Sequence, residues 1–163
     1  MLRKILLILL LVFVIIQFFH PDKNTDNSET ADANDISRKF SVPNNVQEIL
    51  QKSCYDCHSN NTNYPWYAEV QPISWWLNNH IKEGKREINF SEFSNYSIRR
   101  QYKKLEEIIE QVKENEMPLS SYTLIHKDAV LTNDQKLLVS NWANKAIESM
   151  KAQYPADSFL RKN

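Results

Sequence analysis

The feature that most constrains this chain of 163 residues is a short run that contains both of its cysteines. Cys54 and Cys57 are separated by two residues, and His58 follows directly. Two thiols at this spacing on one turn can reach the two vinyl groups along one edge of a porphyrin, and the next residue can then ligate the iron from the proximal side. The run therefore predicts that Cys54 and Cys57 attach one haem covalently, as haem c, and that His58 binds its iron.

Two other chemistries use closely spaced cysteines. A thioredoxin-like dithiol is expected within a βαβ context, and the sequence has no convincing alternation typical of strands. A structural zinc site needs four ligands, usually in two close pairs. This chain has one pair, and its other histidines, His20, His80 and His126, lie singly. The pattern therefore favours haem over a dithiol or a zinc site.

Charge and glycine content exclude several classes of protein. The chain has 20 Lys and Arg against 20 Asp and Glu. The first twenty residues contain Arg3 and Lys4 and no acid, so the remainder is slightly acidic, which argues against a nucleic-acid partner. Gly84 is the only glycine. This excludes Gly-rich phosphate loops and disfavours a β-rich fold with many tight turns.

The chain begins with an apolar segment. Arg3 and Lys4 precede a run from Ile5 to Ile16, which Phe18 and Phe19 extend. Fifteen helical residues span about 22 Å, less than the roughly 30 Å of a hydrocarbon core, so length does not distinguish a signal peptide from a membrane anchor. The two basic residues should stay in the cytoplasm, which places the rest of the chain outside.

The residues after this segment favour an anchor. A signal peptidase site needs small residues just after the apolar run. Gln17 to Pro21 follow instead, and the A-x-A-like stretch Ala31-Asp32-Ala33 lies far downstream. We therefore predict an uncleaved, single-pass transmembrane helix over residues 1–20 in a bacterial inner membrane, with the C-terminal domain in the periplasm. Secretion to the periplasm after signal cleavage is the alternative.

The rest of the chain divides into three parts. Residues 21–40 are polar and acidic and are predicted to form a flexible linker. Apolar residues at helical spacing predict an all-α domain over residues 41–155, which contains the predicted haem-attachment run, followed by a tail at 156–163. The predicted helices are Val46–Lys52, Ile73–Glu83, Ser97–Glu116 and Thr132–Lys151.

Local patterns refine two of these helices. Gly84 can close the second helix at its C-terminus. Thr132 and Gln135 have the spacing of a capping box at the start of the fourth. The residues expected on the inner face of the fourth helix are Leu137, Leu138, Trp142, Ala146 and Met150.

The second axial ligand of the iron is less constrained than the first. Met117 precedes Pro118, in a loop between two helices, and such a methionine can present its thioether to a haem face. His80 and His126 are alternative distal ligands, and an open site is a further alternative. Met150 lies near the end of a helix, so we expect it in the core.

Aromatic residues are concentrated between positions 63 and 77. Tyr64, Trp66, Trp75 and Trp76 can form a core of large rings or a wall of the haem pocket against the porphyrin. In a domain of this size the haem is much of the core, so both interpretations can hold.

The motifs also resemble those of a known family. The segments concerned are Cys54–Asn60, Tyr64-Pro65-Trp66, Ser74-Trp75-Trp76, Asn89–Glu92, Met117-Pro118 and Trp142. They are similar to the bacterial haem-binding domain family, whose members are small proteins with one C-x-x-C-H motif, over about residues 40–150. The resemblance implies a cytochrome-c-like helical domain and haem binding, without implying a reaction. A more general likeness to single-haem cytochromes c supports Met117, and suggests Pro72 as the carbonyl partner of His58.

These features lead to two main functional hypotheses. The first is electron transfer between redox proteins in or at the membrane, with His58 and Met117 closing both axial positions and with no catalytic residue. The second is a haem enzyme or a gas- or peroxide-binding protein with an open or displaceable sixth site, where His80 or His126 would serve as the distal acid or base. A redox-neutral interaction module that uses a metal is a third.

Overall fold

The structure is a computed structural model, and it describes residues 1–26, 28 and 33–160. The regular secondary structure of these residues is helical and includes no β-strand, which confirms the predicted all-α class. The α-helices are α1 (Leu2–Ile16), α2 (Ile36–Lys39), α3 (Asn44–Ser53), α4 (Tyr55–His58), α5 (Ile73–Glu87), α6 (Ile98–Lys113), α7 (Ser120–Thr123) and α8 (Asn133–Gln153). Short 3₁₀ helices lie at Trp66–Glu69, Phe90–Asn95, Lys127–Ala129 and Ala156–Phe159.

The four predicted helices correspond to α3, α5, α6 and α8. The capping box of α8 is confirmed: the Gln135 N–H donates to Thr132 Oγ1 at 3.2 Å, and the Thr132 N–H donates to Gln135 Oε1 at 2.9 Å. The prediction for α5 is wrong at its end, because the helix continues past Gly84 to Glu87. Gly84 therefore does not close the helix.

The core is built on the packing of α6 against α8, and α3 also packs against α8. Phe93 and Leu105 are fully buried within it. Of the residues predicted for the inner face of α8, Trp142, Ala146 and Met150 are buried. The prediction is wrong for Leu137 and Leu138, which are 60% and 38% exposed. The buried stripe of α8 begins one position later and also contains Val139, Ala143 and Ile147.

The predicted linker is in contact with the domain. The Asn24 side chain donates to the Ser59 carbonyl at 2.9 Å, and the Thr62 N–H donates to the Asn24 carbonyl at 2.9 Å. Ile36 is fully buried and Phe40 is 8% exposed, so both belong to the core. The packed part of the chain therefore begins before residue 41, because the side chains of Ile36 and Phe40 are buried in the core of the domain.

Parts of the predicted linker and tail lie outside the described residues. These are residues 27, 29–32 and 161–163, and they include Ala31 and Asp32 of the A-x-A-like stretch.

Within residues 1–20, where a transmembrane helix was predicted, the chain forms α1, which has 15 residues, none of them buried. Across the described residues, no helix is both long enough and apolar enough to cross a membrane.

Candidate functional site

A cavity of about 690 Å³ lies beside α4, between the end of α5, the middle of α6 and the loop that follows α6. Its wall is mostly apolar, and includes Ile49, Leu50, Ile108, Val112, Leu131 and Val139. A volume of about 300–1,000 Å³ with apolar walls and a few polar groups is typical of cofactor sites. The polar groups of this cavity include the side chains that the sequence singled out.

Cys54 and Cys57 both line the cavity, and both are free thiols. Cys54 ends α3 and starts the single turn of α4, in which the His58 N–H donates to the Cys54 carbonyl at 3.0 Å. Burial raises the pKa of Cys54 to about 12, with a smaller contribution from Cys57, and burial together with the charge of Asp56 raises the pKa of Cys57 to about 11. Catalytic dithiols have lowered thiol pKa values, whereas the pKa values of both cysteines here are raised.

His58 lines the same cavity, and its orientation is fixed by α5 and the residue that follows it. Its Nδ1 lies 2.9 Å from the Gly84 carbonyl oxygen and 3.1 Å from that of Ile88. Carbonyl oxygens only accept hydrogen bonds, so Nδ1 carries the proton and Nε2 is the nitrogen available to a metal. Burial lowers the pKa of His58, which favours the neutral imidazole that a metal requires.

The suggested partner of His58, Pro72, is therefore wrong. Pro72 precedes the first turn of α5, whereas Gly84 and Ile88 lie at the other end of that helix. The last carbonyl groups of a helix have no partner within it. The Ile88 carbonyl lies beyond the helix, and the Gly84 carbonyl, which accepts from the Ile88 N–H at 2.9 Å, has a second lone pair for His58.

Gly84 allows α5 to approach α4. A Cβ atom at this position would lie 2.7 Å from the Cys57 carbonyl oxygen, closer than van der Waals contact permits. The φ angle of Gly84 is not positive, so its role is close approach and not a left-handed turn. The only glycine of the chain therefore packs directly against the backbone of the C-x-x-C-H run, at Cys57.

Met117 lines the cavity, and the end of α6 brings it there. Asn115 follows the helix with φ of 64°, in the left-handed region that asparagine tolerates. The Glu116 N–H donates to the Gln111 carbonyl at 2.9 Å and the Asn115 N–H to that of Val112 at 3.4 Å, which is the Schellman pattern. The Met117 N–H also donates to Gln111, at 3.2 Å.

Comparison with known proteins gives one match. The family model for a haem-binding domain matches residues 11–145. The chain belongs to the haem-binding domain family. It is accordingly a haem-binding protein, and the resemblance inferred from its motifs is confirmed. A search of curated proteins and a search of solved structures each gave no match.

Two segments that carried the resemblance contact each other in this haem-binding domain. The Asn60 N–H donates to Ser91 Oγ at 3.1 Å, and the Asn60 amide donates to Glu92 Oε1 at 3.0 Å. The Asn89 amide donates to Asn60 Oδ1 at 2.7 Å. These bonds tie the residues after the C-x-x-C-H run to those after α5, next to the acceptor of His58.

The observed donor set fits a haem. The cavity combines apolar walls with two thiols on one turn, an imidazole with one nitrogen already bonded, and a thioether, contributed by Cys54, Cys57, His58 and Met117. By contrast, no group of three or more His, Cys, Asp and Glu side chains among the described residues could hold a metal ion. The described part of the chain therefore offers no zinc site of the usual kind.

The two alternative histidines lie in different places. His80 lines the cavity, where its Nδ1 donates to the Trp76 carbonyl at 3.0 Å. His126 lies outside the cavity lining: its Nε2 is 2.6 Å from the Tyr67 hydroxyl, and its ring stacks on Tyr122. Met150 is buried in the core, as expected.

The four aromatic residues assigned to the haem pocket do not line the described cavity. Trp66 is 81% exposed, and Trp75 and Trp76 are 38% and 48% exposed. The Tyr64 hydroxyl accepts a hydrogen bond from the Asn24 N–H at 2.8 Å. Only the C-terminal half of α5 lines the cavity, through His80, Glu83, Gly84 and Glu87. Trp75 and Trp76 lie one turn or more before His80 on this helix, and therefore beyond the edge of the cavity.

Some residues of the site were missed at the sequence level. Tyr122 lines the cavity, and its hydroxyl donates to Asp56 Oδ2 at 2.7 Å, which links the loop after Met117 to the C-x-x-C-H run. Lys104 also lines the cavity and forms a 2.5 Å ion pair with Glu107. The available sequence signal for Lys104 was its position directly before Leu105, one of the apolar residues at helical spacing in the third predicted helix.

Proposed function

We propose that this haem-binding protein is a c-type cytochrome that carries one covalently bound haem and transfers electrons. The observation that carries the proposal is the orientation of His58. Its Nδ1–H donates to the Gly84 and Ile88 carbonyls, which leaves Nε2 to the iron, in a cavity that both thiols of the run also line. A hydrogen bond of this kind fixes the tautomer and ring orientation of a ligating histidine.

Cys54 and Cys57 are proposed to hold the porphyrin. Each S–H would add across one vinyl double bond, giving a thioether, with the thiol hydrogen transferred to the other vinyl carbon and no leaving group. Their raised pKa values keep both thiols protonated near neutral pH. The bound haem supplies one-electron chemistry between ferrous and ferric iron.

Met117 is proposed as the distal ligand. The Schellman turn after α6 carries its thioether to the cavity in which His58 lies. A neutral thioether favours ferrous iron, so ligation by His58 and Met117 suits an electron carrier. Lys104 is the lysine that lines the cavity within the described part of the chain. It forms ion pairs with Glu107 at 2.5 Å and Glu87 at 3.4 Å, and it would exchange one of them for a haem propionate.

Membrane attachment through α1 is part of the proposal. The helix is apolar, and Arg3 and Lys4 lie at its start. This arrangement supports a bacterial inner-membrane protein with its haem-binding domain in the periplasm. Redox proteins in or at the same membrane would then be its partners.

A haem enzyme or a gas- or peroxide-binding protein is the second candidate, and His80 is the observation that favours it. Its imidazole lines the cavity together with Met117. If the sixth site were open, His80 could serve as a distal acid or base. Rapid binding of carbon monoxide to the reduced wild-type protein would support this candidate, whereas slow or absent binding supports electron transfer.

Covalent attachment is tested by producing the full-length protein with a c-type maturation system. We expect the haem to remain with the protein through acid–acetone extraction and on denaturing gels. The double substitution Cys54→Ala/Cys57→Ala should abolish this retention. Release of the haem from the wild-type protein by the same treatment would contradict covalent attachment, while leaving haem binding itself intact.

A further inference from the structure

The chain that follows α1 is hydrogen-bonded to the start of α5. Gln17, directly after α1, accepts from the Gln71 N–H at 2.9 Å and donates to the Gln71 carbonyl at 3.3 Å. Gln71 is fully buried, and its side-chain amide donates to the Phe19 carbonyl at 2.9 Å. The end of α1 is therefore held directly beside the first turn of α5.

Exposed apolar side chains are concentrated at this junction. The Trp75 indole N–H donates to the Phe19 carbonyl at 2.8 Å, so the ring lies against the chain leaving α1. Ile73 and Trp76 are three positions apart on α5 and share a face. We define the junction patch as the residues Phe18, Phe19, Ile73, Trp75 and Trp76, which are 81%, 62%, 40%, 38% and 48% exposed.

A lipid bilayer is the partner that this patch fits. Single exposed apolar residues are common, but a contiguous group marks an interaction surface. The junction patch is continuous with α1, an apolar helix none of whose residues is buried. Tryptophan is enriched where membrane meets water, because its ring is apolar and its N–H is polar. We propose that the junction patch contacts the headgroup region of the bilayer that receives α1.

This inference rests on the proposed membrane attachment and adds a consequence for electron transfer. The junction patch lies at the start of α5, and Gly84, whose carbonyl accepts from His58, lies near its end. Ile73 and Gly84 are separated by about 16 Å along the helix axis. Contact of the patch with lipid would therefore keep Gly84, the carbonyl partner of His58, within about 16 Å of the membrane surface, on the side that membrane-bound redox partners can approach.

Labelling from the lipid tests the inference. The full-length holoprotein is reconstituted in vesicles of phosphatidylethanolamine and phosphatidylglycerol that contain a phospholipid with a diazirine near its glycerol backbone. Irradiation and peptide mass spectrometry then locate the labelled residues. We expect the peptides containing Phe18, Phe19 and Trp75 to be labelled about fivefold or more above the peptide containing Leu137, an equally apolar residue that is 60% exposed on α8.

A pair of variants sharpens the test. Ile73→Ser/Trp76→Ser should lower labelling of Phe18, Phe19 and Trp75 several-fold and leave α1 labelled. The matched control Val130→Ser/Leu137→Ser removes two similarly exposed apolar side chains elsewhere and should change nothing. Labelling of α1 with the junction patch no higher than α8, or no effect of the first variant, would overturn the inference while membrane attachment stands. Absence of label from α1 itself would overturn both.

Discussion

The two sides of the cavity are held in different ways. On the His58 side, α4 lies so close to α5 that Gly84 has no room for a Cβ atom, and the imidazole bonds to the backbone. On the Met117 side, a loop depends on a Schellman turn and on the bond from Tyr122 to Asp56. Close packing between backbones tolerates little change, whereas a loop can be altered locally. We therefore expect substitutions near His58 to impair folding, and those near Met117 to alter ligation first.

Loss of the distal ligand should give the largest change in the iron site. Met117→Ala should remove the weak near-infrared sulfur-to-iron band of the oxidised protein, lower its reduction potential and open the iron to carbon monoxide. Absorption spectra, potentiometry and carbon monoxide binding measure these changes.

Met150→Ala is the matched control for that change, since Met150 is a buried core methionine. It should lower the free energy of unfolding by about 2–5 kcal/mol and leave the band unchanged. If Met117→Ala leaves the spectrum untouched while His80→Ala or His126→Ala alters it, the distal ligand is a histidine.

Gly84→Ala tests the close approach on the His58 side. Alanine is favoured over glycine inside a helix by about 1 kcal/mol, but here its Cβ would lie 2.7 Å from the Cys57 carbonyl. We expect the contact to dominate and to lower the free energy of unfolding by about 1–3 kcal/mol. Denaturant unfolding of the holoprotein measures this. Lys82→Ala, at an exposed position of the same helix, should have little effect, and a stabilised Gly84→Ala variant would refute the role given to Gly84.

The left-handed turn before Met117 is the next target. Asn115→Val should lower the free energy of unfolding by about 1–2 kcal/mol, because a β-branched residue is strained at a φ of 64°. The near-infrared band should weaken as the loop loses its geometry. Asn115→Gly should keep both the stability and the band. Equal behaviour of the two variants would show that the turn does not position Met117.

The smallest effect is expected from the link between the two sides. Tyr122→Phe removes the 2.7 Å bond to Asp56 and leaves the ring in place. The net loss of stability should be about 1 kcal/mol, since the bond is only partly buried and the ring stays in place. Thermal unfolding of the holoprotein provides the measurement. A decrease that also appears in the Asp56→Asn variant, without further loss in the double variant, would assign it to this pair.

Much of the site was predictable because its signals are local in sequence. The C-x-x-C-H run places two thiols and an imidazole on one turn whatever surrounds it, and the structure brings all three to one cavity. Helical spacing and the capping box of Thr132 and Gln135 likewise depend on neighbours within a few residues. Such local patterns determine which residues can attach a haem or ligate its iron, and which segments form helices.

The tertiary structure alone decided which elements meet. That His58 bonds to the end of α5, and not to Pro72, depends on how α4 and α5 pack, and the role of Gly84 follows from the same packing. The placement of the tryptophans outside the cavity was also not predictable, because an apolar ring fits a core, a cofactor wall or an exposed patch equally well by composition. These outcomes depend on contacts between residues far apart in the chain, for which a single sequence carries no local signal.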